Sequence, residues 1–285
     1  MPNNFKIAVV QDVPVLGDLE KNFPAYAQAV ESARASGAEL VVFPELALTG
    51  YFLRDVVPDV AIPFDGPQMG RITDAARGID VIVGLVEESR DHRFYNSVVY
   101  IHDRRILHVH RKVYLPTYGL FDEQRYFAAG DAIRSFDTRL GRMGILICED
   151  MWHLSAGLIL GLGSIEFLIA PSASPGRGLD AEDTFQSSRT WRQLVQVYAK
   201  FFGIFVIFAN RVGFEDGVNF WGGSHVVCPG GQVVAEAPEF EKFVLQARID
   251  KSELRRERIY SPLGRDEKLA LTVAELERIY RGSRD

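Results

Sequence analysis

Three side chains suited to acid–base and nucleophilic chemistry each follow a short apolar run in this sequence: Glu45, Lys112 and Cys148. The runs occupy residues 39–43, 106–111 and 143–147. Such runs are typical of strands in a covered sheet, and α/β proteins place chemistry where strands end. We therefore expect a carboxylate, an ammonium and a thiol at three strand ends.

These three groups could together cleave a bond to a carbonyl-like carbon. Glu45 could take the thiol proton as Cys148 attacks and then return it to a leaving amine. Lys112 and the backbone N–H of Glu149 could stabilise the oxyanion, each donor being worth roughly 3 kcal/mol in comparable sites. Water would then attack the thioester, with Glu45 as the base.

Each residue also has an ordinary structural interpretation. A free cysteine is most often a buried and inert thiol, and a lysine usually carries its ammonium in water. Glu45 could be a solvated loop carboxylate, but the segment after it, Leu46 to Tyr51, is too apolar for an exposed loop. An apolar wall around Glu45 would raise its proton affinity, as a general base requires.

Composition excludes several classes of function. The 285 residues are 47% hydrophobic with a formal net charge of -6, so there is no electrostatic footprint for nucleic acid. Two cysteines make no disulfide framework, the N-terminus lacks a secretory apolar region, and no apolar run would span a membrane. We expect a soluble, cytoplasmic protein with no nucleic-acid or membrane partner.

The order of elements predicts a mixed α/β protein in which helices cover two packed sheets. No linker divides the chain, so residues 1–285 are expected to form one domain, with about 251–285 in subunit contacts through a stripe of Leu276, Ile279 and Tyr280. His102, His108 and His110 cluster around a predicted hairpin. No carboxylate or thiol accompanies them at ligand spacing, so a metal site is not expected.

Four segments in register resemble the carbon-nitrogen hydrolase family, also called the nitrilase superfamily. They are F-P-E-L-A-L-T-G-Y around Glu45, H-R-K-V-Y-L-P around Lys112, F-D-E-Q-R-Y-F-A-A-G around Glu123 and G-I-L-I-C-E-D-M-W around Cys148. The resemblance implies a four-layer αββα sandwich that pairs across subunits as a homodimer or larger homo-oligomer. It also implies a Glu45-Lys112-Cys148 triad, with Glu123 as an auxiliary residue that positions the substrate or the lysine. No metal or organic cofactor is implied.

The residues after Cys148 bear on the subtype. Glu149-Asp150 followed by Trp152 is similar to amidase branches of the family, including the glutamine-hydrolysing part of NAD synthetases. In that branch, the glutamate after the cysteine and a downstream Ser/Arg segment hold the amino acid end of the substrate. Residues 172–177, with Ser174 and Arg177, are loosely similar to that segment. The 285 residues contain no phosphate loop or adenylating domain, so we do not expect this sequence to make NAD by itself.

Four aromatic residues, Tyr51, Tyr118, Phe121 and Trp152, would line a small pocket suited to a short amide rather than a polymer. The favoured hypothesis is hydrolysis of a small amide, or of an N-carbamoyl compound, with release of ammonia. Two alternatives are a nitrilase that attacks a C≡N carbon and a catalytically silent binding subunit. A cysteine–histidine hydrolase is disfavoured because only His153 and His225 follow Cys148.

Overall fold

The computed structural model describes residues 3–179 and 185–282. Within these ranges the strands are β1 (Asn4–Gln11), β2 (Leu40–Val42), β3 (Ile62–Pro63), β4 (Asp80–Glu88), β5 (Phe94–His102), β6 (Arg105–Arg111), β7 (Phe136–Asp137), β8 (Arg142–Ile145), β9 (Phe167–Ser172), β10 (Phe205–Asn210), β11 (Val212–Glu215), β12 (Val218–Trp221), β13 (His225–Val227), β14 (Val233–Glu236) and β15 (Phe243–Asp250). The α-helices are α1 (Leu19–Ala35), α2 (Val57–Val60), α3 (Pro67–Ala75), α4 (Leu154–Leu162), α5 (Gln186–Phe202), α6 (Ser252–Tyr260), α7 (Leu263–Asp266) and α8 (Leu269–Gly282). Short 3₁₀ turns cover Arg54–Val56, Glu123–Arg125 and Cys148–Trp152.

These strands form two main sheets and one separate hairpin. The first sheet has the order β15-β1-β2-β4-β5-β6, with β3 also beside β4, and the second has the order β14-β13-β10-β9-β8-β7. Strands β1, β2 and β4 are parallel, as are β8, β9 and β10. Parallel neighbours need crossover connections, which α1, α3, α4 and α5 supply.

Alternation along β1 shows how the sequence specifies the layers. Ile7 and Val9 lie in the core shared by the two sheets, whereas Ala8 and Val10 pack beneath α1 and α3. Successive strand side chains point to opposite faces, so a strand that is apolar on both faces must be covered twice. Burying a side chain such as Val9 stabilises the fold by about 1.5–3 kcal/mol. The layers are therefore helix, sheet, sheet and helix, as the sequence predicts.

The sheet directions place the three candidate reactive residues just after the carboxyl ends of strands. Strand β6 is antiparallel to β5, which is antiparallel to β4, so β6 runs in the direction of β2 and β4. Glu45 and Lys112 therefore follow the carboxyl ends of co-directional strands in the first sheet. Cys148 and Ala173 follow β8 and β9 in the second sheet, which packs against the first.

The structure differs from the sequence predictions in several local details. The strand before Cys148 ends at Ile145, and the β11–β12 hairpin was not predicted. Helix α8 contains no buried residue. That it takes part in subunit contacts stays a prediction. No helix in residues 3–179 or 185–282 has both the length and the apolarity needed to cross a bilayer.

Candidate active site

Glu45 is a buried carboxylate held by donors from three separate parts of the fold. Its side chain is 1% exposed. Oε1 accepts hydrogen bonds from Asn96 Nδ2 at 2.7 Å and Lys112 Nζ at 2.7 Å, and Oε2 accepts one from the Ala173 backbone N–H at 2.8 Å. The prediction that Glu45 is buried is therefore confirmed, whereas its oxygens contact hydrogen-bond donors and not an apolar wall. Its carboxylate stands where the two sheets meet.

A glycine in the neighbouring strand allows Glu45 to take this position. A Cβ atom on Gly84 would lie 2.6 Å from both the Pro44 carbonyl oxygen and the Leu46 nitrogen. Leu46 itself has a φ of 48°, in the left-handed region that costs a non-glycine residue roughly 1–2 kcal/mol. Close backbone approach and a sharp turn together direct the Glu45 side chain into the protein.

Lys112 lies between two carboxylates. Its side chain is 1% exposed, and Nζ donates to Glu45 Oε1 at 2.7 Å and to Glu123 Oε1 at 2.6 Å. Burial by itself would lower the pKa of Lys112. The adjacent charges of Glu123 and Glu45 outweigh burial and hold that pKa well above its usual range. Lys112 is thus a permanent ammonium, suited to stabilising negative charge and unsuited to acting as a base.

Cys148 begins the 3₁₀ turn that follows β8 and adopts a left-handed backbone with a φ of 44°. It is 8% exposed. Burial raises the pKa of its thiol well above the usual range, and the charge of Glu45 raises it further, while Lys112 and the Ala173 amide oppose the shift. The resting group is therefore a neutral thiol that needs a base before it can attack. Non-glycine residues with this backbone are often found at functional sites.

Glu123 is the second buried acid of the site, at 4% exposure. Its Oε1 accepts hydrogen bonds from Lys112 Nζ and from the Tyr51 hydroxyl, whereas Oε2 has no hydrogen-bond partner among the described residues. Burial raises the pKa of Glu123 to about 7, with Glu45 adding to the shift and Lys112 opposing it. Glu123 therefore changes its protonation near neutrality, with one oxygen still available.

Tyr51 belongs to this polar cluster more than to an open pocket wall. It is 8% exposed, and burial raises its pKa well above the usual range, with Glu123 adding to the effect. Its ring packs edge-on to Phe121 at a centroid distance of 6.1 Å. A cavity of about 330 Å³ lies beside it and is lined in part by Tyr51, Glu123 and Phe127. This volume is in the range of small-molecule sites, and the cavity reaches Glu123, whereas Cys148, Glu45 and Lys112 are not among its lining residues.

The other predicted pocket residues lie closer to the surface. Tyr118 is 54% exposed, and its hydroxyl donates to both carboxylate oxygens of Glu149 at 3.0 Å. Partial burial and this contact raise the pKa of Tyr118 to about 12. Trp152 is 41% exposed and packs edge-on to Trp191 at 5.2 Å. The structure thus provides an acidic group at Glu149, next in the chain to Cys148.

Ser174 and Arg177 have different surroundings. Ser174 is buried, and its hydroxyl accepts a hydrogen bond from Trp221 Nε1 at 3.3 Å. The Arg177 guanidinium stacks over the Phe121 ring at 4.4 Å, and its buried Nη2 has no hydrogen-bond partner in residues 3–179 and 185–282. Arg177 therefore offers an unused donor near Tyr118, whose pKa it also influences.

Sequence reasoning missed several residues that build the site. Asn96 and the Ala173 amide hold Glu45, and Glu215 Oε1 accepts from the Tyr51 and Phe52 amides at 2.8 and 2.7 Å. The one available signal was Asn96, a side-chain amide within the mostly apolar strand β5. Glu215 lies on the unpredicted hairpin, so nothing in the sequence linked it to Tyr51.

The three clustered histidines do not converge. His102 contacts Asp80 at 2.6 Å, His108 stacks on Phe136 at 4.0 Å, and His110 contacts Asp150 at 2.9 Å. Within the described part of the chain, no group of three His, Cys, Asp or Glu side chains is arranged to hold a metal ion. The histidines therefore serve separate parts of the fold.

The chain is similar to known proteins over most of its length. Residues 6–258 match the model of the carbon-nitrogen hydrolase family. The chain is 30% identical over 266 residues to a glutamine-dependent NAD(+) synthetase of Thermotoga maritima, covering 90% of this chain and 44% of that protein. It is 30% identical over 270 residues to a nitrilase of Pyrococcus abyssi, covering 89% and 93%.

A solved structure shows the same fold. The carbon-nitrogen hydrolase of Helicobacter pylori superposes with a TM-score of 0.85 at 26% identity, over 94% of this chain and 96% of the other. By contrast, the chain spans less than half the length of the NAD synthetases it matches, 44% in the Thermotoga protein. The similarity thus covers less than half of those synthetases but most of the length of the shorter relatives.

Proposed function

Because the chain belongs to the carbon-nitrogen hydrolase family, we propose that it hydrolyses the terminal amide of a small molecule through a thioester on Cys148 and releases ammonia. The observation that carries this proposal is the buried set of Glu45, Lys112 and Glu123, joined through Lys112 Nζ at 2.7 and 2.6 Å. All three charges act on the Cys148 thiol. A binding subunit would have no use for this combination.

The first half reaction needs a base because the thiol is neutral at rest. Glu45 accepts the proton from Cys148 Sγ as the sulfur forms a bond to the amide carbon, and the carbonyl π electrons move to oxygen. The oxyanion lies near Lys112 Nζ and the backbone N–H of Glu149. Such pre-positioned donors each contribute roughly 3 kcal/mol to the transition state.

Collapse of this intermediate breaks the C–N bond, and Glu45 transfers its proton to the departing nitrogen, so ammonia leaves. Glu45 is then a carboxylate again. It removes a proton from water as the water oxygen attacks the thioester carbon. The C–S bond breaks, the sulfur recovers a proton from Glu45, and the carboxylic acid product leaves.

Glu123 supports these steps without taking the thiol proton. Its Oε1 anchors Lys112 and Tyr51, which fixes the ammonium in place. Its buried Oε2 has no partner among the described residues and can accept an N–H of the substrate amide. The substrate nitrogen would then be oriented toward Glu45, which must protonate it.

Charged groups near Cys148 suggest the class of amide. Glu149 and Arg177 supply opposite charges around Tyr118, and the buried Arg177 Nη2 has no hydrogen-bond partner among the described residues. An amino acid with a side-chain amide carries an ammonium and a carboxylate that would pair with these two residues. The similarity to glutamine-dependent NAD synthetases supports the same class. We propose an ω-amide of an amino acid as the substrate.

Ammonia release across a substrate panel tests the proposal. The panel contains glutamine, asparagine, short aliphatic amides, N-carbamoyl amino acids and nitriles, with Cys148→Ala as the inactive control and Cys228→Ala as the matched active control. We expect turnover of an amide by the wild type and by Cys228→Ala only. Preference for N-carbamoyl compounds or nitriles would overturn the substrate class, and undiminished turnover by Cys148→Ala would overturn the mechanism.

A further inference from the structure

Asp150 is a fully buried carboxylate that the proposed reaction does not use. It lies two residues after Cys148 and is 0% exposed. Oδ1 accepts hydrogen bonds from the backbone N–H groups of Val113 at 3.0 Å and Tyr114 at 2.9 Å. Oδ2 accepts them from the Ile147 backbone N–H at 3.0 Å and His110 Nε2 at 2.9 Å. Four donors therefore satisfy one buried charge.

The four donors come from two segments that each carry a reactive residue. Ile147 directly precedes Cys148, whereas His110, Val113 and Tyr114 flank Lys112. We propose that Asp150 is a positioning residue that fixes the Cys148 turn to the end of the strand bearing Lys112, with His110 as its side-chain donor. This inference rests on the proposed function, because it concerns the geometry of the same reaction.

The local backbone explains why such a link is needed. Cys148 has a left-handed φ of 44° and starts a 3₁₀ turn, a conformation that the chain by itself does not favour. The first and second sheets carry Lys112 and Cys148 separately, and the packing between sheets is apolar and without direction. The hydrogen bonds to Asp150 fix the orientation of the Cys148 turn relative to Lys112. A sulfur displaced by about 1 Å would lose much of its reactivity toward a bound carbonyl.

Asp150→Asn tests the proposal with almost no change in side-chain volume. The amide nitrogen would face either the Val113 and Tyr114 backbone N–H groups or the Ile147 backbone N–H and His110, so at least one hydrogen bond from a backbone N–H is lost on that side. We expect kcat to fall at least about 30-fold with KM within about twofold, since the loss affects the reacting geometry. Alkylation of Cys148 by iodoacetamide at a fixed pH, mapped by mass spectrometry, should slow about tenfold.

His110 provides a second and milder test if Asp150→Asn does not fold. His110→Ala removes one donor, whereas Gln places an amide nitrogen near the position of His Nε2. We expect His110→Ala to lower kcat about fivefold and His110→Gln to restore most of it. The matched control is His108→Ala, on the same strand and stacked on Phe136, which should leave kcat unchanged.

Two results would overturn the positioning role. The first is that Asp150→Asn lowers thermal stability, while the folded variant keeps kcat and the Cys148 alkylation rate within twofold of wild type. The other is equal kcat for His110→Ala, His110→Gln and the wild type. Failure of the proposed function is distinguishable, because a wild type that hydrolyses no amide still reports on Cys148 through the alkylation rate.

Discussion

Glu45 and Lys112 are 67 positions apart in the chain, yet Glu45 Oε1 accepts a hydrogen bond from Lys112 Nζ at 2.7 Å in a site where both side chains are 1% exposed. Removing one partner from such a pair leaves an unpaired charge in the interior and lowers the free energy of unfolding by about 3–5 kcal/mol. Substitutions that keep shape and hydrogen bonding are therefore the informative ones at this site.

Glu45→Gln should lower kcat about 10²- to 10⁴-fold, because a carboxamide can accept the Lys112 hydrogen bond but cannot carry a proton from the thiol to the leaving nitrogen. Steady-state ammonia release measures this effect. Glu31→Gln, in an exposed ion pair with Arg34, is the control and should retain full activity. Turnover by Glu45→Gln within threefold of wild type would exclude Glu45 as the base.

The covalent intermediate should form on one cysteine only. Incubation with a turned-over amide, followed by acid quench, should add the mass of the acyl group to the peptide that contains Cys148. Cys228 is 3% exposed, and burial raises the pKa of its thiol, with Glu253 adding to the shift. Intact-mass and peptide mapping provide the measurement. An adduct on Cys228, or on neither cysteine under burst conditions, would contradict the thioester pathway.

Glu123 should make folding stability depend on pH in the unusual direction. Its pKa is about 7 in the folded protein against an ordinary 4.5, so the fold favours the protonated acid. The contribution of Glu123 to the free energy of unfolding is fully present below pH 4.5 and is lost as the pH rises through 7. The total loss is at most about 3 kcal/mol. Glutamine resembles the protonated form. The free energy of unfolding of Glu123→Gln should therefore rise relative to wild type between pH 5 and pH 8.

Urea denaturation at both pH values gives this difference, and Glu275→Gln on the exposed face of α8 is the control. A difference between Glu123→Gln and wild type that stays constant with pH would show that Glu123 is ionised throughout this range.

Arg177→Ala should separate charged from neutral substrates. Arg177 Nη2, which has no hydrogen-bond partner in the part of the chain that the structure describes, can pair with a substrate carboxylate, which a short aliphatic amide lacks. We expect KM for glutamine to rise about tenfold or more, with KM for a neutral short amide changed less than twofold. Arg93→Ala, in an exposed ion pair with Asp91, is the control. Equal effects on both substrates would remove Arg177 from substrate recognition.

Helix α8 should mediate contact between two copies of this chain. It has 14 residues, none of them buried, and Leu276 and Ile279 are 59% and 57% exposed. An isolated helix of this length is marginal in water, and its apolar stripe needs a partner surface. Leu276→Ser with Ile279→Ser should convert a dimer to a monomer by light scattering, whereas Glu277→Ser should not. A wild type that is monomeric at high concentration would contradict this prediction.

The sequence by itself determined the layered architecture of this protein and singled out Glu45, Lys112 and Cys148 as candidate reactive residues. Alternating apolar residues in β1 and buried runs in β2 and β8 require a sheet covered on both faces, because a strand exposes one side chain to each face in turn. The positions of Glu45, Lys112 and Cys148 after such strands placed them at strand ends. Their surrounding motifs indicated the family, which the comparison of residues 6–258 confirms.

Only the tertiary structure decided how the site is held together. Asn96, Ala173, Asp150 and Glu215 act through hydrogen bonds between segments that are distant in sequence, and such contacts leave no periodic pattern for a sequence reader to detect. The shifted pKa values of Cys148 and Glu123 have the same origin. They arise from burial and from the charges of neighbouring chain segments, which exist only once the two sheets have packed together.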